Sequence, residues 1–106
     1  MAKRADPRLS HQVLRVMRVF IERPKERLAG SDIWRQTGVF TGTLYPILMR
    51  LERAGWLDSE WERLDPSEAG RPRKRLYRLT GVGYNKTYKA LAELGVPTGS
   101  PSSWKA

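Results

Sequence analysis

Cysteine is absent from this 106-residue sequence, and His11 is its only histidine. Disulfide bonds, thiolate metal sites and cysteine nucleophiles are therefore excluded, which fits a reducing, cytoplasmic compartment. Without a nucleophile elbow or a phosphate-binding glycine loop, the residues offer no catalytic constellation and predict that the chain is not an enzyme. No cofactor is implied. Four acidic residues straddle a strand and a turn and predict a solvated hairpin instead of a metal site: Glu60, Glu62, Asp65 and Glu68.

Long apolar runs are also missing, and the N-terminus leads into no apolar core of the kind that signal peptides have. We therefore expect no membrane-spanning segment. Acidic residues are few: 20 Lys and Arg stand against 11 Asp and Glu, a formal net charge of +9. So basic a chain favours polyanionic partners, nucleic acid first and an anionic membrane surface second.

The segment 41–57 has the period of an amphipathic helix. Its aliphatic residues recur at the i, i+3, i+4, i+7 spacing and predict one buried stripe: Leu44, Ile47, Leu48 and Leu51. The opposite arc and its flank carry side chains suited to an anionic partner: Tyr45, Met49, Arg50 and Arg53. We predict a helix over 43–54, capped by Thr43 in preference to Thr41, because that start puts Pro46 in the first turn. Gly55 is expected to end it in a left-handed conformation.

Two helical patterns precede this segment. Ser10 can cap the first helix, and the second begins with Gly30 or Ser31 at its cap and stops at Gly38. The inner face of the second helix is predicted to consist of Ile33, Trp34 and Thr37. Because a turn of only about three to five residues then leads to the basic helix, the pair predicts a helix-turn-helix whose later member is a DNA recognition helix.

After the basic helix, the period changes to two, which predicts strands. Leu57, Ser59 and Trp61 share the inner side of the first strand, and a second strand returns over 75–79. Together they form a two-stranded hairpin with a long turn, and such a hairpin beside a recognition helix is a wing. The returning arm carries four cations that we predict to contact phosphates: Arg71, Arg73, Lys74 and Arg75.

Thr80 can cap a last helix over 81–95. The apolar face of this helix is formed by Tyr84, Tyr88 and Leu91. It needs the first helix or a second subunit as its partner, and we predict the second subunit, which makes the helix a dimer interface. Residues 96–106 are rich in Pro, Ser and Gly and are expected to be a disordered tail in which Trp104 alone could dock; residues 1–9 are expected to be a basic arm.

The order and spacing of five short motifs closely resemble those of the PadR family of bacterial transcriptional regulators. The motifs are TLYPIL at 43–48, RLE at 50–52, GWL at 55–57, GRPRK at 70–74 and YRLT at 77–80, followed by Gly83. The resemblance implies a homodimer that binds a palindromic operator, usually represses, and is often released by a small molecule. It also implies that Thr43 and Tyr45 face the major groove and backbone, with the wing cations at the wing tip. The single helix after the wing resembles the short branch of the family, which leaves open whether an effector cavity exists.

Together these observations predict a mostly α fold with a small β-hairpin: a winged helix-turn-helix at 10–80 with one C-terminal dimerisation helix. The predicted function is sequence-specific double-stranded DNA binding by a cytoplasmic, nucleoid-associated repressor. The DNA-binding residues are predicted to be Thr41, Thr43, Tyr45, Met49, Arg50, Arg53, Arg71, Arg73, Lys74 and Arg75. Two alternatives stay open: a non-specific architectural DNA-binding protein, and a winged helix used for protein interaction.

Overall fold

The computed structural model describes residues 7–95, which form five helices and three strands. In chain order these are α1 (His11–Glu22), β1 (Leu28–Ala29), α2 (Gly30–Thr37), α3 (Thr41–Arg53), β2 (Leu57–Trp61), α4 (Pro66–Ala69), β3 (Arg75–Leu79) and α5 (Gly81–Glu93). The predicted tail with Trp104, and all of the predicted basic arm before residue 7, lie outside the described residues.

The first helix begins where its sequence signal placed it. Ser10 is the N-cap of α1, and its hydroxyl oxygen accepts a hydrogen bond from the N–H of Val13 at 3.2 Å. The apolar arc of α1 is buried, with Met17 and Phe20 fully enclosed. Since the opposite arc carries exposed Arg15 and Arg18, α1 is amphipathic and packs its apolar side against α2 and α5.

The sheet has three strands in the order β1-β3-β2, all antiparallel, where the sequence predicted a two-stranded hairpin. Leu57 lies opposite Leu79 at the inner end of the hairpin, and Leu28 of β1 pairs with Tyr77 on the other side of β3. The extra strand has only two residues, too few for any alternation to be visible in the sequence. It joins the segment before α2 to the base of the wing.

The core lies between the helices and one face of this sheet. All four members of the predicted aliphatic stripe of α3 are at most 1% exposed, which confirms that stripe: Leu44, Ile47, Leu48 and Leu51. Trp56, directly after α3, is 2% exposed and is among the largest buried side chains. Among the described residues, no helix is both long and apolar enough to cross a lipid bilayer.

The last helix packs on the first helix within a single chain, whereas the sequence favoured a second subunit as the partner of its apolar face. Tyr84 and Leu91 are 1% and 2% exposed in a single chain and belong to the same core cluster as α1. Tyr88 is partly buried and stacks on Tyr84, with ring centroids 6.1 Å apart. Tyr84 and Leu91 are therefore unavailable for a dimer contact, because α1 already supplies the apolar surface that they need.

The start of α5 is fixed to the end of α3 through the backbone. Thr80 is the N-cap of α5: its hydroxyl oxygen accepts from the N–H of Gly83 at 2.9 Å and lies 2.6 Å from the carbonyl oxygen of Gly55. The Thr80 N–H also donates to the carbonyl of Trp56 at 3.0 Å. A methyl group added at Gly83 would come within 2.1 Å of that same carbonyl oxygen. Only glycine allows so close an approach.

Candidate nucleic-acid interface

The turn between α2 and α3 is short and internally bonded. Gly38 ends α2 with a φ of 70°, as predicted, and residues 38–40 lead directly into α3. The Thr37 hydroxyl donates to the carbonyl of Ile33 at 2.8 Å and accepts from the N–H of Val39 at 3.1 Å. Because these bonds and the left-handed glycine fix the chain direction, α2 and α3 form the predicted helix-turn-helix.

The cap of α2 differs from the predicted one. Ala29 is the N-cap, and the carboxylate of Asp32 reaches back to accept from the Ala29 N–H at 2.9 Å. Burial disfavours the charged form of Asp32, but the hydrogen bonds from Ala29 and Arg35 outweigh it and lower the pKa of this carboxyl. A capping box normally pairs such an acidic residue with Ser or Thr at the N-cap. With alanine at that position, the sequence pattern does not identify Ala29 as the N-cap.

The start of α3 also needs correction. Phe40, without a side-chain hydrogen bond, is the N-cap, and the helix runs over Thr41–Arg53 instead of 43–54. Pro46 consequently lies in the second turn, where it cannot donate to the carbonyl of Gly42. Gly42 is exposed, so solvent can supply that hydrogen bond. The earlier start makes Thr41 part of the exposed first turn, while Thr43 is partly buried.

The outer face of α3 carries the predicted contact residues. Arg50 and Arg53 are exposed, and Tyr45 and Met49 are 45% and 51% exposed. Because the other face of α3 is buried, these side chains are directed away from the core. All of the DNA-binding residues predicted on α3 therefore lie on its solvent side or at its start.

Two exposed aromatic residues near this face were not among the predicted contacts. Trp34, predicted to be part of the inner face of α2, is 45% exposed, and Phe40 in the turn is 79% exposed. Trp34 lies one helical turn after the buried Gly30 but next to Ile33, which takes the inward position. No sequence signal separated these residues from core aromatics, since hydrophobicity alone predicts burial.

Tyr45 is half exposed, yet its ring tip is held by α2. A methyl group added at Gly30 would come within 2.5 Å of the Tyr45 hydroxyl oxygen and within 2.8 Å of the adjacent ring carbon. The buried Gly30 therefore provides the space in which the end of the Tyr45 side chain lies. A larger residue at position 30 would therefore require the Tyr45 side chain to move.

The tip of the wing contains a short helix, where the turn-forming residues predict only a long turn. Asp65 caps α4 by accepting from the N–H of Ser67 at 3.0 Å, and Gly70 ends it with a φ of 70°. Two of the acidic side chains of this hairpin are paired with arginines: Glu60 pairs with Arg27 at 2.8 Å, and Glu62 pairs with Arg71. Within residues 7–95, no group of three or more potential ligands is arranged to hold a metal ion.

The wing cations differ in how they are engaged. Arg71 donates two hydrogen bonds to Glu62, at 2.7 and 3.0 Å, and these bonds, with the N–H of Lys74, lower the pKa of Glu62 to about 2. Arg73 is exposed and donates from Nε to the carbonyl of Leu64 at 2.9 Å. The structure therefore brings Arg71, Arg73 and Lys74 together at the wing tip, with the charge of Arg71 partly neutralised.

Arg75 points back toward α3. Its Nε donates to the Ser59 hydroxyl at 3.0 Å, its terminal nitrogen lies 3.7 Å from the Glu52 carboxylate, and its guanidinium lies 5.1 Å from the ring centroid of Trp61. Trp61, predicted to face inward, is 58% exposed because β2 extends beyond the core at this end. Its partner Arg75 is therefore directed toward α3 and not toward the wing tip.

Comparison with known proteins identifies relatives. Residues 27–89 match the family model described as the transcriptional regulator PadR-like family, which is more than half of the chain. A PadR-like transcription factor from Bacteroides fragilis is 28% identical, with a TM-score of 0.66 over 78% of this chain and 79% of its own. The protein smu.1704 from Streptococcus mutans is 27% identical, with a TM-score of 0.64 over 79% of this chain and 78% of its own.

A third structure, NadR in complex with 4-hydroxyphenylacetate, is 27% identical and has a TM-score of 0.63. The match covers 80% of this chain but only 54% of NadR. A search of curated proteins found no match. The matched region runs from the residue before β1 into α5, so it includes the helix-turn-helix and the wing.

Proposed function

Because this chain belongs to the PadR-like family of transcriptional regulators, we propose that it is a repressor that binds a palindromic operator in double-stranded DNA as a homodimer. The family is one of regulators, not enzymes, and the fold is a winged helix. In this proposal α3 is the recognition helix and enters the major groove, while the wing, residues 57–79, lies along the adjacent backbone.

The observation that carries the proposal is the division of α3 into two faces. One face is fully buried, and the other presents two exposed arginines beside Tyr45 and Met49. We assign Tyr45 and Met49 to base edges, because an aromatic ring or a thioether can meet a thymine methyl group. Arg50 and Arg53, farther along the helix, are assigned to phosphates.

The remaining contacts follow from position. Thr41 and Thr43, in the first turn of α3, are assigned to a phosphate through their hydroxyls or the free N–H groups of the helix start. Arg73 and Lys74, and the part of Arg71 that Glu62 leaves free, are assigned to phosphates at the wing tip. Arg75 is left out of this set because its guanidinium is engaged by Glu52, Ser59 and Trp61.

In this proposal the homodimer interface is formed by residues other than the buried Tyr84 and Leu91. Exposed apolar side chains lie just before α1 and at both ends of α5: Leu9, Val82 and Leu94 are 39%, 44% and 62% exposed. We assign the dimer contact to exposed residues at the start of α1 and on α5, outside the helix-turn-helix. A dimer with two-fold symmetry matches a palindromic operator, since each recognition helix then reads one half-site.

NadR is bound to 4-hydroxyphenylacetate in its structure, but this chain spans only 54% of NadR. A small-molecule effector is therefore not part of the proposal. The two alternative functions, architectural DNA binding and protein interaction, differ from it in measurable ways. An architectural protein binds selected and random duplexes alike, and a protein-interaction module has no salt-dependent affinity for DNA.

The testing experiment selects bound duplexes from a random library and measures affinity for the selected and a random duplex over a range of salt. We expect a palindrome whose half-sites are about one helical turn apart. Changing Arg73 and Lys74 together to Ala should weaken binding to both duplexes alike. It should also lower the slope of log affinity against log salt concentration, the salt slope, by about one unit per lost phosphate contact. The matched control changes Arg15 and Arg18, on the exposed side of α1, to Ala.

The control variant loses the same charge outside the assigned interface and should keep nearly the parental salt slope. Equal losses of DNA affinity in the two double variants would show a general effect of charge and would rule out the assignment of Arg73 and Lys74 to phosphate contacts. A parent chain with no salt-dependent affinity for any duplex would overturn the DNA-binding proposal as a whole. Sedimentation of the free chain tests the homodimer separately.

A further inference from the structure

Three polar side chains join the recognition helix to the wing outside the core. Glu52, in the last turn of α3, accepts a hydrogen bond from the hydroxyl of Ser59 in β2 at 2.5 Å. The same hydroxyl oxygen accepts from Nε of Arg75 in β3 at 3.0 Å, and the Arg75 guanidinium lies 3.7 Å from Glu52. One helix and both strands of the hairpin therefore meet at a single hydroxyl group.

The strand register shows where this cluster lies. Ser59 is opposite Tyr77, and Trp61 is opposite Arg75, so these side chains share the face of the hairpin that is buried farther in at Leu57. Beyond Ser59 that face leaves the core, because Trp61 is 58% exposed. The cluster thus lies where that face leaves the core, and it joins the last turn of α3 to both strands of the hairpin.

The geometry of the cluster restrains the wing more than an isolated surface pair could. The Glu52 and Arg75 side chains are only 36% and 35% exposed, and both bond to the same hydroxyl. Linked, partly shielded hydrogen bonds are stronger and more directional than a solvated ion pair. The Arg75 guanidinium is also held over the Trp61 ring, 5.1 Å from its centroid, which extends the restraint toward the wing tip.

We propose that Glu52, Ser59 and Arg75 form a brace that sets the position of the wing relative to the recognition helix. In this proposal Glu52 and Ser59 are positioning residues: they govern DNA affinity without contacting DNA. The inference rests on the proposed DNA-binding function. It also explains why an acidic residue lies at the end of an otherwise basic helix, where a simple attraction to phosphate disfavours it.

The sign of one effect separates the brace from ordinary electrostatics. Removing an acidic side chain near bound DNA reduces repulsion, so Glu52→Ala would tighten DNA binding if charge alone mattered. If Glu52 braces the wing, the same change weakens DNA binding, because the wing cations are no longer held where they can reach the phosphate groups of the DNA backbone. We expect roughly tenfold weaker binding, the size of effect that positioning contacts have.

The matched control is Glu60→Ala. Glu60 is an acidic residue of the same strand as Ser59, but it alternates to the other face of the hairpin and pairs with Arg27 at 2.8 Å. Its removal makes the same charge change without touching the brace. We expect Glu60→Ala to leave binding to a random-sequence duplex unchanged or slightly tighter.

Ser59→Ala removes the shared hydroxyl without changing charge and should weaken binding in the same direction as Glu52→Ala. To show that both act through the wing, each is combined with Arg73→Ala. If the brace positions Arg73, the double variants lose less than the sum of the single losses, and the brace variants alone already lower the salt slope. A general loss of stability would leave the salt slope of the folded fraction unchanged.

All affinities are measured with the full chain on a random-sequence duplex, beside melting temperatures. Weaker binding and a lower salt slope for both brace variants, but not for Glu60→Ala, support the brace. Binding by Glu52→Ala and Ser59→Ala as tight as that of Glu60→Ala overturns it, while the DNA-binding proposal stands. If Glu52→Ala is unfolded, Ser59→Ala decides alone. A parent chain that binds no duplex overturns the proposed function instead.

Discussion

Gly30 and Gly83 each lie against another element, but the atoms that they meet are different. A methyl group at Gly83 would come within 2.1 Å of the Trp56 carbonyl oxygen, and one at Gly30 would come within 2.5 Å of the Tyr45 hydroxyl oxygen. The carbonyl belongs to the backbone and already accepts hydrogen bonds from Thr80. The hydroxyl is the end of a half-exposed side chain, which can rotate.

This difference separates two regions of the molecule. The junction of α3, β2 and α5 is fixed through backbone atoms, so a change there must displace whole elements. The outer surface of the helix-turn-helix is arranged through side-chain tips, so a change there can alter the surface while the fold persists. We therefore expect substitutions at the junction to act on stability and substitutions at the outer surface to act on recognition.

The largest effect is expected from Gly83→Ala. The added methyl group cannot fit beside the Trp56 carbonyl, so the start of α5 must move away from α3 and disturb the bonds made by Thr80. Overpacking of this kind typically costs about 1–3 kcal/mol, and an overlap with rigid backbone belongs at the upper end. Urea unfolding of the variant measures the loss directly.

Gly42→Ala is the matched control, because Gly42 also lies in the first turn of a helix but, apart from its chain neighbours and the backbone of its own helix, no atom lies within 4 Å of an added methyl group. Alanine favours the helix over glycine by up to about 1 kcal/mol, so this variant should be as stable as the parent or more stable. If both variants unfold at the same urea concentration, the close approach of α5 to Trp56 does not limit stability.

A smaller loss is expected from Thr80→Val, which keeps the shape of the side chain but removes its hydroxyl. The N–H of Gly83 then loses its cap, and the carbonyls of Gly55 and Trp56 lose a donor. We expect a loss of about 1–2 kcal/mol in unfolding free energy. Thr80→Ser, which retains the hydroxyl but lacks the methyl group, should stay close to the parent; a loss in Thr80→Ser larger than that in Thr80→Val would assign the contribution of Thr80 to packing of its methyl group instead.

The sequence predicted the fold well where periodicity was long. The stripe of α3 repeats over several turns and could be seen directly, and the change to a period of two located both strands of the hairpin, including β3 at Arg75–Leu79. The sequence pattern did not predict β1, because its two residues pair with a strand far along the chain. Nor could it choose the partner of α5, because an apolar face has the same pattern whether α1 or a second chain covers it.

The candidate site was predictable in its residues but not in their orientation. The exposed positions of Arg50 and Arg53 follow from helical period alone. The inward turn of Arg75 depends on Glu52 and Ser59, which come from two other elements, and the pairing of Arg71 depends on Glu62, on the opposite arm of the hairpin. A run of cations in sequence does not show which of them the fold neutralises.

The smallest change in stability is expected from Gly30→Ala, at the outer surface. The methyl group displaces the Tyr45 hydroxyl, and because a side-chain tip can rotate away, the melting temperature should change little; alanine also favours the start of α2. Tyr45, however, then points elsewhere. We expect the ratio of operator to random-duplex affinity to fall, in the same direction as for Tyr45→Ala, which should cost about 1–3 kcal/mol on the operator and little on random duplex.

The decisive measurement combines the two substitutions. If Gly30 acts only by directing Tyr45, then Gly30→Ala has nothing to displace once Tyr45 is alanine, and the double variant should match Tyr45→Ala in both affinities. Additive losses would mean that Gly30 affects DNA binding through α2 itself. If Tyr45→Ala instead lowers the melting temperature by several degrees and leaves the affinity ratio unchanged, Tyr45 serves to pack α3 on α2. The contact between Gly30 and Tyr45 would then serve stability, as the contact between Gly83 and Trp56 does. The two glycines would differ only in how much stability each substitution costs.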